Sequence, residues 1–264
     1  MTALETRVEF SSALARWLGV EEVALVREDL LPDGGGKKRR VLACFAEELS
    51  DIKHIHLLSY AGSHTAFTLS RLLPEVVIHL YGTHYDGGAY EAAMVKQLEA
   101  RENVHQQIGS FWTMGLAFNK QKWKSRPAHH FMHIGGSLGI DTSTKSAVDE
   151  TIKTIGEAFH HVVAVASGDL LSSIATETPA VTGVLTQPLA IRILKYMSMK
   201  NASGLWKTSL NQRIKTMHEV RELTGHTWDP IFMGTVFSYL EQKKELPPKL
   251  CIWVTCPTEI DWLG

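Results

Sequence analysis

Apolar positions along this chain follow two rhythms. Short, nearly unbroken apolar runs occur at Glu22–Arg27, His54–Ser59, Val76–Tyr81, His130–Ile134, His161–Ala166, Val181–Leu185 and Lys249–Val254. Such runs predict strands of a parallel sheet, covered on both faces. Between them, apolar residues recur every three or four positions over Lys38–Ser50, His64–Leu73, Ala89–Arg101, Thr142–Phe159, Pro188–Met199, Ser209–Leu223 and Ile231–Lys243, the spacing of helices with one buried face. The βαβα order predicts a doubly wound α/β architecture. Ligands of such sheets sit beyond the carboxyl ends of the strands, so the loops that follow strands are the places to look for chemistry. The stretch Ser110–Pro127, with Trp112, Phe118 and Trp123 among lysines, reads as a crossover between lobes or as a surface loop. Pro247-Pro248 breaks the chain before the last strand.

Composition narrows the class. The 264 residues suit one large domain or two small lobes sharing a cleft. Hydrophobic residues make up 44% and charged residues 21%, as in a soluble globular protein. A net charge of −1 gives no global field toward nucleic acid or an anionic membrane. The opening Met1-Thr2-Ala3-Leu4-Glu5-Thr6-Arg7 lacks a basic-then-apolar leader pattern, and no apolar run approaches bilayer length. Three scattered cysteines (Cys44, Cys251, Cys256) suit a reducing cytoplasm, with Cys44 a packed thiol. The adjacent pairs His129-His130 and His160-His161 point to opposite faces of a strand, which disfavours a shared metal ion. No metal is expected. The tryptophans are expected in the core and between lobes.

Five segments carry candidate chemistry. The first is Val26-Arg27-Glu28-Asp29-Leu30 followed by Gly34-Gly35-Gly36-Lys37-Lys38-Arg39-Arg40. Its glycines permit close backbone approach, and a lysine at a helix start among other cations is biased toward the neutral, nucleophilic amine. Taken alone, it is a solvated basic turn or an anion site built on Lys37, Lys38, Arg39 and Arg40. The second, Ser59-Tyr60-Ala61-Gly62-Ser63-His64-Thr65-Ala66, runs from strand through a small-residue turn to a helix, where backbone N–H groups can hold a carboxylate or phosphate. The third, Val162 to Ser173, repeats that plan, but Asp169 would repel a phosphate and is placed to cap the following helix. Ile134-Gly135-Gly136-Ser137-Leu138-Gly139 and Trp228-Asp229-Pro230-Ile231-Phe232-Met233-Gly234 complete the set.

In this order, from Val26 to Phe237, the five segments resemble the family of 1-aminocyclopropane-1-carboxylate deaminase and D-cysteine desulfhydrase, pyridoxal-phosphate enzymes of the tryptophan-synthase-β-like type. The opening Leu4-Glu5-Thr6-Arg7-Val8-Glu9-Phe10 is similar as well. The resemblance implies two doubly wound, mostly parallel-sheet lobes with a cofactor cleft between them. A larger lobe would take residues 1–40 plus 130–264, and a smaller nested lobe 41–129. It makes Lys37 the catalytic aldimine lysine and assigns cofactor binding to Lys37, Ser63, Ala166, Ser167, Gly168, Asp169, Leu170 and Thr255. Substrate, a small amino acid, falls to Gly62, Ser63, His64, Thr65 and Phe232. A homodimer is implied, with no nucleic-acid or membrane partner.

The chain departs from the family pattern at chemically important places. Gly36 replaces an asparagine, Gly62 a serine that touches substrate, and Ser63 the asparagine on the cofactor's phenolic oxygen. Asp169 and Leu170 replace a glycine and a threonine of the phosphate loop, while Phe232 and Met233 replace the active-site tyrosine and a polar neighbour. Only the threonine of a late His-Thr-Gly-Gly turn survives, as Thr255. Two expectations follow: a lyase or deaminase of small amino acids, or a non-catalytic relative that keeps the fold as a binding or partner module.

Overall fold

The computed structural model describes residues 6–32, 36–48, 51–85, 87–124, 127–132, 142–165, 169–186, 202–203 and 208–256. Its elements run β1 (Val8–Phe10), α1 (Ser12–Leu18), β2 (Glu22–Arg27), a 3-10 turn (Glu28–Leu30), α2 (Lys37–Glu48), β3 (His54–Tyr60), α3 (His64–Leu72), β4 (Val77–Thr83), α4 (Gly88–Glu99), β5 (Val104–Gly109), α5 (Phe111–Trp123), β6 (His129–Met132), α6 (Thr142–Ile155), β7 (His160–Val165), α7 (Asp169–Glu177), β8 (Val181–Leu185), β9 (Ala202–Ser203), α8 (Leu210–Thr224), α9 (Met233–Glu241) and β10 (Lys249–Val254). The predicted helix Pro188–Met199 lies outside the described residues.

Two sheets form. One has six strands in the order β1-β2-β10-β7-β8-β9, parallel except where β1 meets β2; the other has four parallel strands in the order β5-β4-β3-β6. This is the expected α/β, mostly parallel architecture. Strand β6 pairs with β3 from His54↔His129 to Leu57↔Met132, so the expected lobe boundary at residue 130 falls inside a strand of the smaller sheet.

The continuous apolar runs became strands buried on both faces. Alternate residues of β2 and β10 (Val23, Leu25, Leu250, Ile252) enter the main core, while Ala24, Val26, Cys251 and Trp253 face a second cluster under α6 and α7. The main core also takes Ile55 and Leu57 of β3, Phe67 and Leu69 of α3, Tyr90 and Met94 of α4, and Val236 and Phe237 of α9. Helix α5 covers the opposite face of the four-stranded sheet, where Met114 and Phe118 pack on Leu58 and Tyr81.

Four outcomes differ from expectation. Strand β5 was not predicted, because its Val-His-Gln-Gln-Ile-Gly sequence alternates as an edge strand does and has no apolar run. Ser110–Pro127 contains a 13-residue helix rather than a bare loop, opened by Ser110, whose hydroxyl accepts from the Thr113 N–H. Helix α6 stops at Ile155, because Gly156 takes a left-handed φ of 84°. Trp112 and Trp123 lie outside the core: they are 79% and 84% exposed, on the side of α5 turned away from the sheet, whereas Trp228 and Trp253 are core residues. No described helix is long and apolar enough to cross a membrane.

Candidate functional site

The first segment is locked by buried ion pairs. Arg27, fully buried, donates to both Asp29 carboxylate oxygens at 2.9 Å and also reaches Glu9. One turn later Arg40 of α2 grips the Glu28 carboxylate at 3.0 and 3.1 Å and bonds Thr6. Burial pushes the Glu28 carboxyl up and Arg40 draws it back. These pairs fix both ends of the glycine turn, and the Gly36 N–H closes it by donating to the Glu28 carbonyl at 2.6 Å. Lys37 is the first residue of α2; its side chain, Gly34 and Gly35 lie outside the described set.

Gly36 is pressed on the end of β10. Its φ is 74°, and a Cβ there would meet the Thr255 carbonyl oxygen at 2.6 Å. From Thr255 a chain of contacts leads through Cys256, Asp229 and Phe232 to His64. The Thr255 hydroxyl lies 3.9 Å from the Cys256 sulfur, and the Cys256 thiol hydrogen-bonds Asp229. Asp229 is buried and accepts from the Ile231, Phe232 and Met233 N–H groups, which organises the entry to α9. Desolvation pushes its carboxyl up to about 6, against the pull of those bonds. Phe232 stands edge-on to His64 with ring centroids 6.0 Å apart. His64 bonds the Tyr90 hydroxyl at 2.5 Å, and the charge of Lys38 reaches it from the helix that Lys37 opens. Burial, then Lys38, lowers the His64 pKa to about 4, so its imidazole is neutral near pH 7.

The second segment joins this chain of contacts through the start of α3. Gly62 turns the chain with φ 68°, and a Cβ would stand 2.5 Å from the Met94 Cβ. The Ser63 hydroxyl accepts from the Ala66 N–H and donates to Ser59 at 3.0 Å, so it is engaged in capping α3. Thr65 is buried behind it. Beside this turn, the ends of β3, β4 and β5 enclose a cavity of about 480 Å³ lined by Ser59, Tyr60, Thr83, His84, Ser110 and Phe111. Tyr60 meets Tyr85 edge-on at 5.6 Å.

The third segment is only partly described. Ala166, Ser167 and Gly168 lie outside it, as does the Asp169 side chain. Asp169 is the first residue of α7. The Leu170 side chain is buried in the apolar cluster with Val163 and Val165, so only its backbone is left to face the crevice. Because β7 lies beside β10, with Val163 opposite Trp253, the start of α7 follows at the same sheet edge as Thr255. The Ile134–Gly139 segment is outside the described residues.

Sequence reasoning assigned Lys37, Gly62 to Thr65, Phe232 and Thr255 to one crevice; among these, the structure links Phe232 with His64 and sets Gly36, next to Lys37, against Thr255, and it adds Tyr90, Asp229 and Cys256, which sequence reasoning did not single out. The only sequence signal was the Asp-Pro pair before a helix. It also missed a second cluster. On one face of the small sheet, His105, His79, His56 and Phe131 stand in register across the four strands, with His54 and His129 alongside. His56 stacks on His79 and on Phe131 at 4.5 Å, and pairs through Nδ1 with the Tyr81 hydroxyl at 3.2 Å and through Nε2 with His129 at 2.9 Å. Among the described residues no group of three or more His, Cys, Asp or Glu is arranged to hold a metal ion.

No protein-family profile matches the chain, and no curated protein matches it by sequence. Solved structures do match in fold. An ACC deaminase homologue superposes with a TM-score of 0.72 at 20% identity, covering 96% of this chain and 89% of that one. A pyridoxal 5'-phosphate-dependent aspartate racemase gives 0.68 at 12% identity, over 98% and 92%. The O-acetylserine dependent cystathionine beta-synthase from Helicobacter pylori gives 0.66 at 14%, over 97% and 94%. The fold is therefore the tryptophan-synthase-β-like fold that the segment order implies.

Proposed function

We propose that this chain, built on that fold, uses the crevice as a pyridoxal-phosphate-dependent enzyme of a small amino acid, a lyase or deaminase of the 1-aminocyclopropane-1-carboxylate deaminase or D-cysteine desulfhydrase kind. Lys37 holds the cofactor. The observation that carries this is the crevice wall itself: Gly36 presses on Thr255, Cys256 bonds Asp229, Asp229 holds the Phe232 N–H, and Phe232 meets His64, although these residues come from four distant parts of the chain.

The residues present fit the cofactor's chemistry in outline. Thr255 is buried and its hydroxyl has only a distant sulfur contact, which suits it to a ring nitrogen. The start of α7, at the same sheet edge, offers N–H groups to a phosphate, with the Asp169 carboxylate as the opposing feature. Bound pyridoxal phosphate supplies an electron sink for a carbanion at the substrate Cα. The start of α3 after Gly62 presents first-turn N–H groups to the substrate carboxylate. Lys37, at the positive end of α2, is biased toward the neutral amine that removes the Cα proton. His64 and Tyr90 supply a neutral protic pair beside Phe232, where the family pattern has a tyrosine. The lobe built on the four-stranded sheet, which runs on through β6 to Met132, brings the α3 turn to the lobe built on the six-stranded sheet.

The test is spectroscopic first. Purified protein with added pyridoxal phosphate develops a visible absorption band, and Lys37→Ala, folded by circular dichroism, does not. The banded protein is then offered D-cysteine and 1-aminocyclopropane-1-carboxylate, with oxo-acid release as the readout. A colourless wild type sinks the enzyme reading. A second reading, a non-catalytic relative that keeps the fold as a binding module, is favoured by Phe232, which brings no hydroxyl to the crevice, and by the core-packed Leu170. A wild type that binds amino acids with neither band nor turnover would establish it.

A further inference from the structure

The near-zero net charge conceals a segment with a different character. Ser110–Pro127 carries Lys120, Lys122, Lys124 and Arg126 and no Asp or Glu. Helix α5 turns Met114 and Phe118 inward to the sheet. Its outer side presents Trp112, Leu116, Asn119 and Trp123, spaced i, i+4, i+7 and i+11. Trp112, Leu116 and Trp123 are 79%, 69% and 84% exposed, and Phe111 at the helix start is 41% exposed. At up to ~250 Å² for each tryptophan, the two alone expose roughly 400 Å², within the range of the largest apolar patch on a whole monomer. An apolar stripe of this size on an otherwise well-packed molecule calls for an occupant.

We propose that the outer face of α5 is a docking surface for an anionic phospholipid bilayer. Composition decides the occupant. Cores of protein–protein contacts are depleted in lysine, whereas tryptophan with lysine at its margin suits a lipid headgroup zone, where the indole lies half in apolar chains and the lysine stem extends its ammonium to the phosphates. Lys120, Lys122 and Lys124 are exposed at the end of the helix that carries Trp123. A second copy of α5 would set lysines against a helix that has no carboxylate to receive them. The sheet face under α5 adds histidine, aromatic, aliphatic and glutamine side chains and no carboxylate; the nearby acids Asp51, Glu75 and Glu102 lie in the loops at the end of that sheet. Of its apolar side chains only Phe111, at the helix start, also lines the cavity beside the α3 turn; the stripe of Trp112, Leu116 and Trp123 does not, so the proposal stands whether or not the cofactor binds.

The experiment measures partitioning of the full chain onto vesicles of phosphatidylcholine, alone or mixed with phosphatidylserine, by flotation and tryptophan emission. The wild type is expected to bind the mixed vesicles at least tenfold better, with a blue shift, and to be released by salt. Trp112→Ala with Trp123→Ala should cut binding at least tenfold, and so should Lys120→Glu with Lys122→Glu and Lys124→Glu. All these residues are exposed, and circular dichroism checks that the fold persists. Equal binding to both vesicles, or binding indifferent to these variants, overturns the proposal. So does a wild-type dimer in sedimentation that the tryptophan variant converts to monomer, since a second copy would then cover the face.

Discussion

Replacing Gly36 by alanine tests whether the turn that presents Lys37 is held on the end of β10. Two costs arise at this position. A φ of 74° is left-handed backbone, which costs an alanine about 1–2 kcal/mol. The new Cβ would also lie 2.6 Å from the Thr255 carbonyl oxygen, a backbone atom that cannot rotate away. Displacing one segment to relieve it costs about 1–3 kcal/mol, as overpacking does. Two other glycines separate these costs. Gly156 has φ 84° and nothing within 4 Å of a Cβ, so Gly156→Ala carries the backbone cost alone. Gly115 lies inside α5 with open space around it, so Gly115→Ala should stabilise by about 0.5–1 kcal/mol. Urea unfolding followed by circular dichroism should rank Gly115→Ala above wild type, Gly156→Ala about 1–2 kcal/mol below it, and Gly36→Ala about 2–5 kcal/mol below. Thermal midpoints should fall by roughly 2–4 °C per kcal/mol for a chain of this size. Pyridoxal-phosphate titration of the same proteins should weaken only for Gly36→Ala. If Gly36→Ala and Gly156→Ala lose equal stability, the Gly36–Thr255 contact is refuted, and with it the link that places Lys37 in the crevice.

The same framework yields further expectations. Asp229→Ala removes the acceptor of three N–H groups at the buried entry to α9, so a loss of about 2–4 kcal/mol in urea midpoint analysis is expected. Arg27→Ala strands the buried Asp29 carboxylate and should cost about 3–5 kcal/mol in the same assay, whereas loss of the exposed Lys215–Glu219 pair should cost under about 1 kcal/mol. Acid should destabilise the protein. His56, His64, His79 and His161 are held neutral at about 4 against an ordinary 6.5, chiefly by burial, so the unfolded chain binds more protons between those values. Their contribution is intact above 6.5 and is lost as pH falls toward 4, by order of 1 kcal/mol each after allowance for solvent screening. Asp229 has the opposite sign, its carboxyl being raised to about 6, so it returns part of the loss over the same range. Urea midpoints should still fall between about pH 7 and about pH 5, and midpoints that hold or rise would refute the buried, neutral imidazole stack. Tyr90→Phe leaves the His64 ring nitrogen without its bond and should cost about 1 kcal/mol, with faster denaturant unfolding as the check.

What could be read from sequence followed from how local each signal is. Glu22–Arg27, Val181–Leu185 and Lys249–Val254 are strands residue for residue, because burial on both faces writes an unbroken apolar run into the sequence itself. An edge strand such as β5 needs apolar residues on one face only, and α5 carries aromatics on both its inner and outer sides, so neither shows a clean period. The crevice divides in the same way. Turns that follow strands mark themselves with small residues, and Gly36 and Gly62 do take left-handed φ values of 74° and 68° while Ser63 caps α3. The walls were hidden because each acts through partners far along the chain: Cys256 through Asp229, Tyr90 through His64, and the imidazole stack through a register that aligns His56, His79 and His105 from three strands. Adjacent histidines in one strand do point apart, as argued from sequence, yet histidines at matching positions of neighbouring parallel strands point the same way. That pairing is set by strand order and register, which depend on the whole sheet. The substituted positions are informative for the same reason. Leu170 reads as a damaged phosphate loop in sequence; its side chain is spent on the apolar cluster with Val163 and Val165, so any anion at the start of α7 would rest on backbone N–H groups, which no side-chain pattern records.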